Sequence, residues 1–422
     1  MGPPHVNLSG RPWAGRSHAE LAELTRELLL AGHLIDRAGM PAVIARLGRE
    51  GMEHVAIEEW RAASPIYTRR MQRLLGFEGD SVETIFKGMQ LDVGAPPEFM
   101  DFRYEVFDHD HGRFHLDHCG ALMDVEPMGD DYVTAMCHTI EDPTFDATAA
   151  ATNPRARMRP VHRPPRMPAD RAPHCEWTVT IEPDAEPLAL SPSFDRLASS
   201  TAAGLHLAEP EASLTSDDGS NDYADDLDAD LTMERFSSAA LSAVADEVAL
   251  QCHLLARAFL LEVAERVGPQ ELASIGVEQA AGISGLTTKR LASALGVESD
   301  LSGLAAVLAV HPLLLPRTYV PIDLALEDRA LSLSLLDGPG LGEDDGLTWP
   351  ALLAGPGGEA ILEAAAVCLV PTARVERMAP GPGEAARWSI TVNPGRESAP
   401  QPTPVTLAEF STGAAFVFVR SR

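Results

Sequence analysis

Three cysteines in the stretch 114–177 each adjoin a histidine: His118-Cys119, Cys137-His138 and His174-Cys175. With five cysteines and 14 histidines in 422 residues, three such pairs in one stretch exceed what composition supplies. Thiolate and imidazole are ligands that borderline-soft metals prefer, and together they make an activated thiol nucleophile. His115, Glu126, Glu141, Asp142, Asp146 and His162 add proton-transfer groups and further donors to the same stretch. It therefore reads as a metal or thiol site. Cysteine is also a small apolar residue often buried for packing, but no periodic apolar pattern calls for histidine three times.

The elements that must position these residues read as follows. Leu21, Leu24, Leu28, Leu29 and Ile35 fall at helical spacing, and Gly39-Met40-Pro41 punctuates before Val43, Ile44 and Leu47 resume it, so 17–50 predicts two helices. A further helix is expected over 55–75, ending at Gly76. Phe102, Tyr104 and Val106 alternate like a half-buried strand, and Asp110-His111-Gly112 supplies a turn into a second strand, 114–119. His115 and Cys119, four apart, share a face in either a strand or a helix. Residues 130–148 read as a helix, Asn153-Pro154 breaks it, and Cys175, Trp177, Val179 and Ile181 alternate on a closing strand.

Between residues 197 and 234 the chain lacks Lys and Arg and is dense in acids, the composition of a disordered linker. After it the pattern restarts. The run 288–300 echoes 69–80, and Trp388 with the six residues after it echoes the run from Trp177. This predicts a degenerate duplication, roughly 20–182 and 245–394. The second copy lacks the chemistry: Ala386 stands for Cys175, Glu376 near His162, and 331–335 for 115–119, while Cys252-His253 and Cys368 lie on apolar helical runs. The expected fold class is α+β, two tandem pseudo-repeat domains with N-terminal helices packed on a small, mainly antiparallel sheet. The expected boundaries are 1–182, an acidic disordered linker 183–239, and a degenerate repeat 240–422.

Net charge is −29, which argues against nucleic acid, because neutralising phosphate needs Lys and Arg. An anionic membrane surface is disfavoured likewise, and no uninterrupted apolar run reaches the ~18 residues of a membrane span. The N-terminus carries no secretory apolar region, so a cytoplasmic chain with reduced thiols is expected. There is no Walker A loop, GxSxG elbow or HExxH, and the glycines at 338, 340 and 342 precede three acids where phosphate would sit.

At Cys119, Cys137 with Glu141-Asp142, Asn153-Pro154 with Arg157 and Arg163, and Cys175-Glu176-Trp177, the first copy resembles the L-2-amino-thiazoline-4-carboxylic acid hydrolase family. That family is itself similar to the vinyl-4-reductase-type ligand-binding domains. The resemblance implies a metal or thiol site beside a small-molecule pocket. Zinc, or alternatively iron, would be held by Cys119, Cys137, His138, His162 and Cys175. His115, His118, Glu126 and Glu141 would serve as catalytic groups, and Arg157 and Arg163 would bind a substrate carboxylate. A variant makes Cys119 or Cys175 the nucleophile. The implied function is hydrolysis of a small cyclic amidine or amide such as a thiazoline carboxylate; the alternative is a zinc-containing small-molecule binding or sensing protein without catalysis. The expected partner is a small-molecule substrate, with no nucleic acid and no membrane, and a homodimer is compatible with this.

Overall fold

A computed structural model describes residues 6–7, 10, 12–208, 219–327, 329–393, 395 and 397–419. A short strand, β1 (Val6–Asn7), precedes the long helix α1 (His18–Leu74). Ser17 and Glu20 cap the start of α1 reciprocally. The break in α1 is not at Gly39-Met40-Pro41, which the helix runs through, but at Gly48, whose φ of +72° is open mainly to glycine. There follow α2 (Val82–Met89), the hairpin β2 (Met100–Val106) and β3 (His111–Cys119), and the short helices α3 (Gly120–Val125) and α4 (Asp130–Thr134). One π-helical turn (Ala135–Ile140) then leads into α5 (Glu141–Ala150), β4 (Ala156–His162) and β5 (Cys175–Ile181).

The acidic segment is not a free linker where it is described. It carries α6 (Phe194–Ala198) and α7 (Thr201–Gly204), and Tyr223, Met233 and Phe236 are buried. Tyr223 donates to Gln90 at 2.7 Å and meets Phe77 edge-on, so a few apolar anchors outweigh the charge around them. Residues 209–218 of the expected linker lie outside the described residues.

The second half repeats the order: α8 (Ser238–Ala264), α9 (Pro269–Leu295), α10 (Leu301–Ala309), β6 (Ile322–Glu327), β7 (Ala330–Leu336), α11 (Trp349–Ala354), α12 (Glu359–Leu369), β8 (Ala373–Met378) and β9 (Glu384–Val392), before a final α13 (Thr403–Ala408). The sheets are β2-β3-β5-β4 and β1-β6-β7-β9-β8, antiparallel throughout, so the two halves share one strand order. The fold is α+β with two tandem pseudo-repeats.

Register settles which residues correspond. Trp177 faces Phe114 across β5 and β3, and Trp388 faces Leu333 across β9 and β7. Ala386, opposite Leu335, therefore does stand where Cys175 stands opposite Leu116. Residues 331–335, however, match 112–116, and the counterpart of His162 is Met378 rather than Glu376, because each faces the residue before its tryptophan.

One apolar core runs through both halves, with α1 packed along α8 and α9. α1 and α8 each contain an 18-residue window apolar enough to cross a membrane, yet 83% of each window is buried inside the protein. Their apolar surface faces protein.

Candidate functional site

Three of the cysteines share one buried neighbourhood. β3 ends at Cys119, whose Sγ accepts from the Leu122 N–H at 3.3 Å and so caps α3. β5 begins at Cys175, and the π turn carries Cys137. Burial first, then the charge of Glu141, pushes the Cys119 thiol up to about 12. The same two causes raise Cys137 and Cys175, and each of these feels Cys119 as well. These thiols are protonated at neutral pH, the opposite of an activated nucleophile.

The histidines next to them are engaged elsewhere. His138 Nε2 donates to the Pro164 carbonyl at 2.7 Å, and His162 Nε2 donates to that of Pro173 at 3.2 Å. His174 Nδ1 accepts from the backbone N–H of Cys119 at 3.1 Å, leaving its sulfur untouched. Among the described residues no three Cys, His, Asp or Glu side chains are arranged to hold one metal ion. Of the expected set of Cys119, Cys137, His138, His162 and Cys175, the three sulfurs gather, while the imidazoles of His138 and His162 each donate Nε2–H to a proline carbonyl.

The other expected groups also separate. Glu126 forms a two-point ion pair with Arg166 at 2.9 and 2.7 Å, which occupies both its oxygens. Arg157 donates to the carbonyls of Pro154, Ala156 and Glu186, and Arg163 pairs with Asp142 over the Trp177 ring. His115 lies 3.4 Å from Asp117 on the half-exposed side of β3. His118 stacks on Phe416 with ring centres 6.1 Å apart. Glu141 differs, for it is buried, its Oε2 has no partner, and it lines a cavity.

That cavity, of about 110 Å³, lies between α1, α2, β2 and α5. Its wall is rich in methionine (Met40, Met52, Met89, Met100 and Met136) with Trp60, Phe102 and Phe145, an adaptable apolar surface. One face of α1 adds His33, Asp36 and Arg37, spaced i, i+3 and i+4, and Asp92 and Glu141 face it from other elements. The Trp60 indole donates to Asp36 Oδ2 at 2.7 Å. Arg37 Nε donates to Asp124 at 3.1 Å, and Asp124 also accepts from Ser411 and Thr412, which ties the C-terminal segment to α3. Asp92 Oδ1 accepts from the Tyr67 hydroxyl at 2.9 Å and the Gly94 N–H at 2.7 Å.

Burial governs the ionisation here. It pushes Asp92 up to about 6 and Glu141 up to about 8, and with Arg37 it pulls His33 down to about 4. Burial and the neighbouring Asp36 hold Glu59 well above the usual carboxylate range. Asp36 and Glu59 face each other carboxyl to carboxyl, His33 is engaged by the Gly94 backbone, and Glu141 Oε2 has no hydrogen-bond partner among the described residues. Buried polar groups are nearly always satisfied, so the carboxyl of Glu141 on the cavity wall calls for an explanation.

α1 carries a signal of its own in the sequence, an internal recurrence. His33-Leu34 with Arg37-Ala38 recurs as His253-Leu254 with Arg257-Ala258, a separation of 220 residues. The same separation relates the helix caps Ser17 and Ser237, the breaks Gly48 and Gly268, and the left-handed glycines Gly76 and Gly296. Arg257 pairs with Asp345 at 2.8 and 3.1 Å as Arg37 pairs with Asp124, so the Arg–Asp contact belongs to the fold. At the same separation Asp36 becomes Ala256, Glu59 becomes Gln279 and Trp60 becomes Ala280. Of these, Asp36 and Trp60 line the cavity. No protein-family model, curated protein or solved structure matches the chain.

Proposed function

We propose that the first repeat binds a small, mainly apolar molecule in the methionine-lined cavity, with the carboxyls of Asp36 and Glu141 orienting it. The observation that carries this reading is an apolar, methionine-rich cavity with the unpartnered Oε2 of Glu141 on its wall. A bound donor would satisfy Glu141 Oε2, which otherwise carries a desolvation penalty of about 1–3 kcal/mol. The resemblance of 119–177 to the L-2-amino-thiazoline-4-carboxylic acid hydrolase family, itself similar to vinyl-4-reductase-type ligand-binding domains, is compatible with this reading.

Hydrolysis of a small cyclic amidine or amide is the second reading. It is favoured by Glu141, a carboxyl that stays protonated to about pH 8 inside the cavity and is thus suited to donate a proton to a departing nitrogen. No step of it runs through a metal or a cysteine.

Calorimetric titration with 1-hexanol, indene and a thiazoline carboxylate separates these readings. Saturable binding of any of them, abolished in Ala121→Trp, which fills the cavity, is the expected result. Turnover of the thiazoline ring by the wild type but not by Glu141→Gln moves the conclusion to the hydrolase. No saturable heat with any of the three removes the binding reading.

A further inference from the structure

Acidic and basic side chains around the cavity of the first repeat do not balance. Asp36, Asp92 and Glu141 stand on its wall with one guanidinium, that of Arg37, which is already paired with Asp124 at 3.1 Å. His33 adds no charge at neutral pH, because burial and Arg37 pull it down to about 4. Arg257 pairs with Asp345 in the second repeat, so an Arg–Asp pair belongs to both copies. At the 220-residue separation, however, Asp36 becomes Ala256 and Asp92 becomes Pro312. The fold therefore does not require these two acids, and they accompany the cavity. Glu141 is only 9% exposed, and its Oε2 has no partner among the described residues. The hydrogen bonds that Asp92 accepts from Tyr67 and Gly94 both arrive at Oδ1.

Resting on the binding reading above, we infer that the ligand of the first repeat is a compact apolar amine, held as its ammonium ion, whose N–H groups donate to Glu141 and whose charge Asp92 and Asp36 balance. Three features favour this class. An excess of acid over base on an otherwise apolar wall attracts a cation and repels an anion. Trp60, Phe102 and Phe145 supply aromatic rings, whose negative faces suit an ammonium ion and whose surface suits its hydrocarbon body. The volume of about 110 Å³ limits that body: a cavity of about 150 Å³ holds benzene, so the ligand has no more than about six heavy atoms. An ammonium ion beside Glu141 favours its carboxylate form, because the cation supplies the compensation that burial otherwise withholds.

The test compares ligands of similar size and different charge. In calorimetric titration of the full-length protein at neutral pH, cyclopentylamine is expected to bind at least about tenfold more tightly than cyclopentanol, and cyclobutanecarboxylate more weakly than either. The alcohol also reports whether the cavity of a variant is still formed. Glu141→Gln is expected to bring the amine and the alcohol to within about threefold of each other, and Asp92→Asn to narrow the gap as well. Asp92→Asn decides the matter if Glu141→Gln no longer takes the alcohol. Equal affinity for amine and alcohol in the wild type, or tightest binding of the carboxylate, each blocked by Ala121→Trp, overturns the amine class while leaving the binding reading intact. A preference for the amine that survives in both variants overturns the assignment to these carboxyls. Binding of none of the three, with no 1-hexanol binding, overturns both readings.

Discussion

Asp92 shows how one buried carboxyl sets a pH response. Its pKa rises from 3.8 unfolded to about 6 folded because burial outweighs the hydrogen bonds from Gly94 and Tyr67. Between these values the folded state holds more protons than the unfolded one, so this contribution is full below pH 3.8 and is lost as pH rises through 6. Asp92→Asn keeps an acceptor oxygen and removes the titration. Relative to the wild type, the variant should therefore gain up to about 3 kcal/mol between pH 4 and pH 6, two pKa units at ~1.4 kcal/mol each. His33, His253 and His311, held down to about 4 by burial, act in the opposite direction, losing stability as pH falls from 6.5 through 4. Urea titrations of both proteins across this range isolate Asp92, and a flat difference would exclude it as the source. The thiols make a second prediction at this scale. In the folded protein an aromatic disulfide reagent should reach half-buried Cys368 first, and Cys119, Cys137, Cys175 and Cys252 only on unfolding. Fast native labelling of Cys119 or Cys175, read by mass spectrometry, would restore the nucleophile hypothesis.

At the scale of the element, two glycines test different physics. Gly48 has φ +72° and nothing within 4 Å of an added Cβ, so Gly48→Ala should cost about 1–2 kcal/mol through backbone conformation alone. Gly268, its counterpart, sits at φ −72°, open to any L residue, and should cost less. Gly120 follows the strand end at Cys119, and an added Cβ would fall 2.1 Å from the Phe99 ring. Gly120→Ala therefore has to displace a buried aromatic ring and should be the most damaging of the three. Denaturant unfolding ranks them, and a Gly48→Ala penalty near zero would show that the kink relaxes into continuous helix. The π turn over Ala135–Ile140 belongs to this scale too, since it sets Cys137 among the sulfurs and starts α5 at Glu141, on the cavity wall.

Across the whole molecule, the repeats are joined by more than sequence. Arg290 reaches Glu27 through two hydrogen bonds of 2.7 and 2.9 Å, and Arg70 reaches Glu247 through two of 2.6 and 2.9 Å, all four side chains being nearly buried. Around these pairs the apolar core is continuous. The protein should unfold in a single transition, with calorimetric and van't Hoff enthalpies agreeing. A fragment of residues 1–182 should not fold alone, because the face of α1 that meets α8 and α9 would be exposed. Two resolved transitions, or a folded fragment, would mean that each repeat is self-sufficient.

The types and order of the elements, and the duplication itself, were legible in the amino-acid sequence, since each follows from local periodicity, caps and punctuating glycines. So was the gathering of Cys119, Cys137 and Cys175, whose counterpart positions could be sought in the second copy. The sequence could not tell where a side chain's hydrogen bond would go. His138 and His162 turn to proline carbonyls, Glu126 to Arg166 and Arg163 to Asp142, all contacts between residues distant along the chain. Nor could it show that His33, Asp36 and Arg37, on a helix that reads as core, border an open space while His253 and Arg257 border a tryptophan. A cavity is a property of how elements meet, and only the tertiary structure determines where packing leaves a gap.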